Sequence, residues 1–190
     1  MTPELLRLVM PCSILNAVRY ANYFDETFTM CQINTAIRQA AFLAQVAHES
    51  GCLAYTKELA SGSQYEGRMD LGNVKQGDGV RYKGHGFIQV TGRANHAAIG
   101  VQIEKLGWTD VPDFQDDPEE LCEPRWCVAS AGAFWYWHGL NELADINDDN
   151  SFLKISKRIN GVNRLTGEPN GLADRRMLWA RARAALGVLQ

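Results

Sequence analysis

The chain has 190 residues, of which 46% are hydrophobic and 22% charged, a globular composition with enough material for one domain and a sizeable core. That mix excludes disordered, collagen-like and fibrous classes, and the longest apolar stretches, such as Ala40 to Ala47, fall short of the roughly 20 residues that span a bilayer. The net charge of −3 is unevenly spread: residues 110–150 carry eleven Asp or Glu against one Arg, and residues 151–190 carry eight Lys or Arg against two acids. The basic segment has few interleaved aromatics, so these charges read as solvated helix faces and no nucleic-acid partner is expected.

Helix signals dominate in chain order. Thr2-Pro3-Glu4 supplies a cap, a proline at the first helical position and an acidic first turn, and Pro11 closes that helix. Ser13 caps a second helix to about Phe24. A third runs from Asn34 or Thr35 to Ser50, with Ile37, Ala40, Ala41, Ala44 and Ala47 on one stripe and Phe42, Leu43 and Val46 widening it, so it reads as a central buried helix stopped by Gly51. Residues 61–86 are dense in glycine and poor in aliphatics, the composition of a long structured loop. Phe87-Ile88-Gln89-Val90 is a candidate strand of a small hairpin, after which Thr91 caps a helix to about Ile99. Asp117-Pro118 starts a short helix, Pro124 starts another that carries Phe134 to Trp137, and the last two span about Ser151 to Ile159 and Asn170 to Leu186. The absence of repeats and linkers makes residues 1–190 one mainly α domain.

Cys12, Cys31, Cys52, Cys122 and Cys127 are an odd set without a Cys-x-x-Cys pair. They read as small hydrophobes in a reduced protein, and neither a disulfide framework nor a structural metal is expected. His48-Glu49-Ser50-Gly51-Cys52 lacks the second histidine of a His-Glu-x-x-His zinc site. Asp145 to Asn150 begins like a calcium loop but has Asn150 where glycine is needed and Ser156 where a bidentate glutamate is needed, which leaves an acidic surface turn.

Glu49 stands out because it ends the buried third helix. A carboxyl there meets the negative end of the helix macrodipole, and aliphatic surroundings act in the same direction, so the proton-bearing form is favoured. Glu58 lies nine residues on, past Gly51, where the chain can face Glu49 across a groove. Two such carboxyls are the minimum equipment for hydrolysing a glycosidic bond, one protonating the leaving oxygen and one acting as base or nucleophile. On composition alone Glu66 and Asp70 compete for the second role.

The run Phe42-Leu43-Ala44-Gln45-Val46-Ala47-His48-Glu49-Ser50-Gly51, then Glu58, then Gly77 to Asn95 with Gly84-His85-Gly86-Phe87-Ile88-Gln89-Val90-Thr91-Gly92-Arg93-Ala94-Asn95, resembles the glycoside hydrolase family 19 domain. It is most similar there to chitinase-like endolysins of phages and prophages, and Asn160-Gly161-Val162-Asn163 matches a later Asn-Gly turn of the family. The resemblance implies a lysozyme-like, two-lobed α-helical domain with a small β-hairpin at the cleft. It implies Glu49 as general acid, Glu58 as general base, Thr91 as a hydroxyl that holds the attacking water, and Gln89, Asn95, Asn160, Tyr82 and His48 as sugar contacts. His85 and His96 depart from the family pattern, which usually has Arg and Tyr there.

Together these point to an inverting hydrolase of β-1,4 links in an N-acetylhexosamine polymer, needing no cofactor. Peptidoglycan is the expected substrate, with chitin as the alternative, and a lytic transglycosylase or a catalytically silent glycan-binding module as rival classes. Met1 to Arg7 lack the basic, apolar and cleavage regions of a secretory signal. The expectation is a monomer made in the cytoplasm, not stably inserted in the membrane, that reaches the cell wall when the inner membrane is breached.

Overall fold

The computed structural model describes residues 1–188. Nine α-helices form among them: α1 (Pro3–Val9), α2 (Ile14–Met30), α3 (Ala36–Glu49), α4 (Asp78–Arg81), α5 (Arg93–Lys105), α6 (Pro124–Trp137), α7 (Leu140–Ile146), α8 (Asp149–Asn160) and α9 (Leu172–Ala185). The first three begin where capping chemistry places them. Thr2, Ser13 and Thr35 each accept a hydrogen bond from the amide three residues on, serving a donor that the helix leaves unpaired.

The core is built on α2, α3 and α6. Phe42 meets Trp135 edge-to-face with centroids 5.4 Å apart, and Phe24 and Phe28 close the same cluster. Phe87, entirely buried, enters it from the loop side against Tyr20 and Phe24. This cluster explains why α2 continues past Phe24 to Met30: Thr27 and Phe28 are buried against it. Helix α7 was not expected from sequence. It is short, and beside buried Leu140 and Ala144 it carries a buried polar residue: Asn141 accepts from Trp135 Nε1 and donates to Cys31 O, both at 2.9 Å. Cys12, Cys31 and Cys127 are buried as expected, and burial holds the Cys127 thiol well above its ordinary value.

The glycine-rich segment is an ordered loop carrying two 3₁₀ turns, Ser63–Tyr65 and Met69–Leu71, and helix α4. Buried Asp78 ties it together. It accepts from the amides of Val74 and Lys75 and pairs with Arg93, whose guanidinium holds the carboxyl down to about 2. The expected hairpin strand does not form. Val90 and Lys57 each make a single antiparallel bridge to His85, and Phe87 to Gln89 turn back sharply, with Gln89 at φ +55°. Nor does Thr91 cap the next helix. Gly92 is the cap position of α5, and Asn73 Oδ1, from twenty residues upstream, takes the amide of Arg93. The acidic stretch near residue 148 is the joint between two helices, where Asp148 forms a capping box with Ser151 and Asp145 and Asp149 pair with Arg38 and Arg176. No helix among the described residues is long and apolar enough to cross a membrane.

Candidate active site

Glu49 sits in the last turn of α3, where α9 grips it. Arg175, entirely buried, places Nη2 2.5 Å from Glu49 Oε1, while its Nη1 donates to Gln45 Oε1 and its Nε to Asn170 O. Gln45, one turn before Glu49 and itself buried, passes the chain on to Ser156 of α8 through a 2.8 Å bond. The surroundings of Glu49 are therefore a buried cation and its hydrogen-bonded support, where aliphatic neighbours were expected. Only Oε1 of the carboxyl is bonded among the described residues, and the side chain keeps 16% exposure.

His48 belongs to the same junction. Its Nδ1 lies 2.6 Å from Asp174 Oδ2, and its ring packs so closely on Gly171, the residue before α9, that a Cβ there would stand 2.1 Å from the ring. The imidazole ties α9 to α3 while keeping 22% of its side chain exposed. Asn160, exposed at the end of α8, accepts from Asn170 N at 2.9 Å. It thereby closes the loop whose Asn170 carbonyl holds Arg175.

Glu58 is supported differently. Its Oε2 accepts from Gly84 N at 3.0 Å and its own amide donates to Gly84 O at 2.8 Å. Oε1 accepts from Gln64 Nε2 and from the Tyr65 hydroxyl, both at 3.1 Å. Burial and the adjacent carboxylate push the Tyr65 phenol up, so it stays a donor. Three donors thus fix the position of one carboxyl.

The competing carboxylates are occupied with structure: Glu66 takes the amides of Gly77 and Gly79, and Asp70 pairs with Arg68 on the surface.

Gln89, Thr91 and Asn95 come together on the wall of one cavity of about 410 Å³, alongside Leu71, Ile88 and Phe134. Ile159, the neighbour of Asn160, also lines it, whereas Glu49 and Glu58 do not. Gly84 joins this wall to Glu58: a Cβ on it would stand 2.5 Å from Gln89 Oε1, so the residue whose amide holds the carboxylate must be glycine for Gln89 to lie where it does. The Thr91 hydroxyl donates to Gln89 O, which commits its hydrogen and leaves the oxygen able to act as an acceptor, and Asn95 Nδ2 donates to Thr91 O. Tyr82 is not part of this surface. It is 1% exposed, its hydroxyl donates to Gln115 O, and its ring lies between His96 and the Arg93 guanidinium, so it is a core residue and not a sugar contact.

Sequence reading missed Arg175, Gln45, Gln64 and Tyr65. A signal for the first was present: Arg175 falls three residues from both Leu172 and Leu178, on the stripe assigned to the core, where an unpaired cation is not tolerated.

No family model matches the chain. A glycosyl hydrolase family 19 domain-containing protein of Haemophilus influenzae is 30% identical over 156 residues, covering 66% of this chain and 71% of that protein. An endochitinase of Arabidopsis thaliana is 33% identical over 132 residues, covering 70% of this chain but 40% of its own length, so the chain spans less than half of that relative. Among solved structures, chitinase C from Streptomyces griseus superposes with a TM-score of 0.68 at 23% identity, covering 97% of this chain and 76% of that one. A bacterial family 19 chitinase gives 0.70 at 22% identity, covering 98% and 95%. These superpositions place the mainly α architecture with the lysozyme-like fold of bacterial family 19 chitinases. By the Haemophilus relative and the fold together, the chain belongs to glycosyl hydrolase family 19.

Proposed function

We propose that the chain hydrolyses β-1,4 glycosidic bonds of peptidoglycan by inversion, as an endolysin of the phage or prophage type acting on the cell wall after the inner membrane is breached. The observation that carries the chemistry is the unequal support of two carboxyls. Glu49 has one oxygen unbonded among the described residues and stands on a rigid helix end. Glu58 is bonded through both oxygens by three donors of its own loop.

In the proposed reaction Glu49 protonates the bridging oxygen as the sugar–oxygen bond breaks. Glu58 takes a proton from water that attacks the anomeric carbon from the opposite face, and the Thr91 oxygen accepts the water's other hydrogen. The product is an α-anomer with a free reducing end. Gln89, Asn95 and Asn160 supply amides for sugar hydroxyl and N-acetyl groups. Arg175 is a positioning residue for Glu49.

Chitin is the second reading, favoured by the plant relatives, two endochitinases and a chitinase. Clearing of permeabilised Gram-negative cells, with mass spectrometry and NMR of the first products, tests the proposal. Muropeptides with an α-anomeric reducing end support it. Efficient cleavage of chitin with inert peptidoglycan moves the substrate to chitin, and anhydro sugars or a β-anomer overturn the mechanism.

A further inference from the structure

His85 and His96 form a buried pair next to Gly84 in the chain, and their hydrogen bonds allow one neutral arrangement. His96 Nδ1 lies 2.9 Å from Gly92 O, and a carbonyl only accepts, so Nδ1 carries the hydrogen. In the neutral ring Nε2 is then bare and takes the hydrogen of His85 Nδ1 across 3.0 Å. His85 Nε2 is left bare in turn. It is entirely buried and without a hydrogen-bond partner among the described residues, and it faces Glu119 Oε1 at 3.7 Å, a lone pair turned toward a carboxylate. That juxtaposition is unfavourable unless a cation lies between them.

Cys122 Sγ completes the group: the three ligand atoms all lie within 4.8 Å of one another. We propose that His85 Nε2, Glu119 and Cys122 Sγ form a binding site for a borderline-soft divalent cation, zinc(II) by its donor set, with a fourth position open to water. Nitrogen and oxygen ligands on a tetrahedral zinc, each about 2.0–2.2 Å from the metal, stand roughly 3.3–3.5 Å apart, so the pair at 3.7 Å needs little adjustment. The His85 to His96 hydrogen bond is the outer support that a zinc-bound imidazole ordinarily has on its other nitrogen.

On binding, the Cys122 thiol releases its proton to solvent, giving up its bond to Thr56 O, and the thiolate sulfur bonds the ion. Thiolate and carboxylate together neutralise the double charge. Lys57, whose ammonium pairs with Glu119, is the competing cation and must swing away. A surface cavity of about 520 Å³ lined by Lys57, Lys83 and Glu119 opens on the Glu119 side of the group. The site lies beside the catalytic loop, since Lys57 precedes Glu58 and bridges His85, yet it is independent of which polymer the enzyme cuts.

Titration of the full chain with cobalt(II), followed by competition with zinc, tests the proposal. The expected result is one ion per chain, with a thiolate-to-cobalt absorption in the near ultraviolet and the intense visible bands of a tetrahedral ion, both erased by zinc. Cys122→Ser and Glu119→Gln should each weaken binding by about tenfold or more, Lys57→Met should tighten it, and Cys52→Ser should leave it unchanged. Glu119 is exposed, so its variant reports even if changes nearer the core impair folding. Absence of binding, binding that survives both Cys122→Ser and Glu119→Gln, or loss of binding in Cys52→Ser overturns the site. So does nitrogen-15 NMR of the metal-free protein at neutral pH showing hydrogen on both nitrogens of His85.

Discussion

The two candidate catalytic carboxyls are held by different kinds of structure. Glu49 is fixed through side chains on two helices, Arg175 of α9 and Gln45 of α3, in a network that reaches Ser156 of α8. Glu58 is fixed by its own loop, through the backbone of Gly84 and the neighbouring Gln64 and Tyr65. The first support is part of the core, so damage to it costs stability as well as activity. The second is local, so damage to it is expected to show mainly in turnover.

The largest expected effect breaks the comparison at its chemical end. Glu49→Gln keeps the shape and removes the proton, and activity should fall by ~10²–10⁴-fold, with a lowered urea midpoint because buried Arg175 loses its charged partner. Turnover within a few-fold of wild type would remove Glu49 from the acid role. Arg175→Met tests the helix-borne support. Deleting the buried partner of a largely buried carboxylate costs on the order of 3 kcal/mol, which denaturant unfolding at constant m should show together with reduced activity. An unaltered midpoint would mean that the ion pair is not part of what holds α9 on α3.

The buried histidine pair follows Gly84 on the loop side, and acid should find it first. Burial holds His96 down to about 4 from its ordinary 6.5, so between those values the unfolded chain binds more protons than the folded one. The stability contributed is complete above about pH 6.5 and is lost as the pH falls toward about 4, roughly 3 kcal/mol in all. Asp78, held down to about 2 chiefly by Arg93, adds a separate loss at lower pH, through the range between its ordinary 3.8 and that value. An NMR titration in which His96 protonates near its ordinary value removes the first phase.

Smaller effects sharpen the loop side. Gly84→Ala displaces Gln89 and disturbs the amide that holds Glu58, and kcat should fall about tenfold, near 1.4 kcal/mol, with little change in the urea midpoint. A drop in stability comparable to that of Arg175→Met would erase the distinction between the supports. Asn160→Ala should be mildest, loosening the 161–170 loop and raising KM by a few-fold; a kcat effect as large as that of Gly84→Ala would place Asn160 closer to the chemistry.

How much was legible in the chain differs along the same line. The caps at Thr2, Ser13 and Thr35, the buried stripe of α3 and the glycine-rich loop are local properties, carried by side chains within three or four residues of the backbone they serve. The motif around Glu49 and Glu58 was readable for the same reason, as short runs at short spacing. Tyr82 was misplaced because an aromatic beside a glycine-rich loop looks alike whether it faces sugar or core, and only the packing of Arg93 and His96 on it decides. Thr91 was assigned a cap that Asn73 supplies from twenty residues away.

The sequence by itself therefore determined most of the helices and the loop, and singled out the two candidate carboxyls. Tertiary structure decided what stands beside them: Arg175, 126 residues from Glu49; Gly84, 26 from Glu58; and the meeting of His85 with Glu119 and Cys122. Periodicity and capping arise from bonds that close within one helical turn. The partners of a buried charge are instead set by which elements the hydrophobic core brings into contact, and no spacing within a single element encodes that choice.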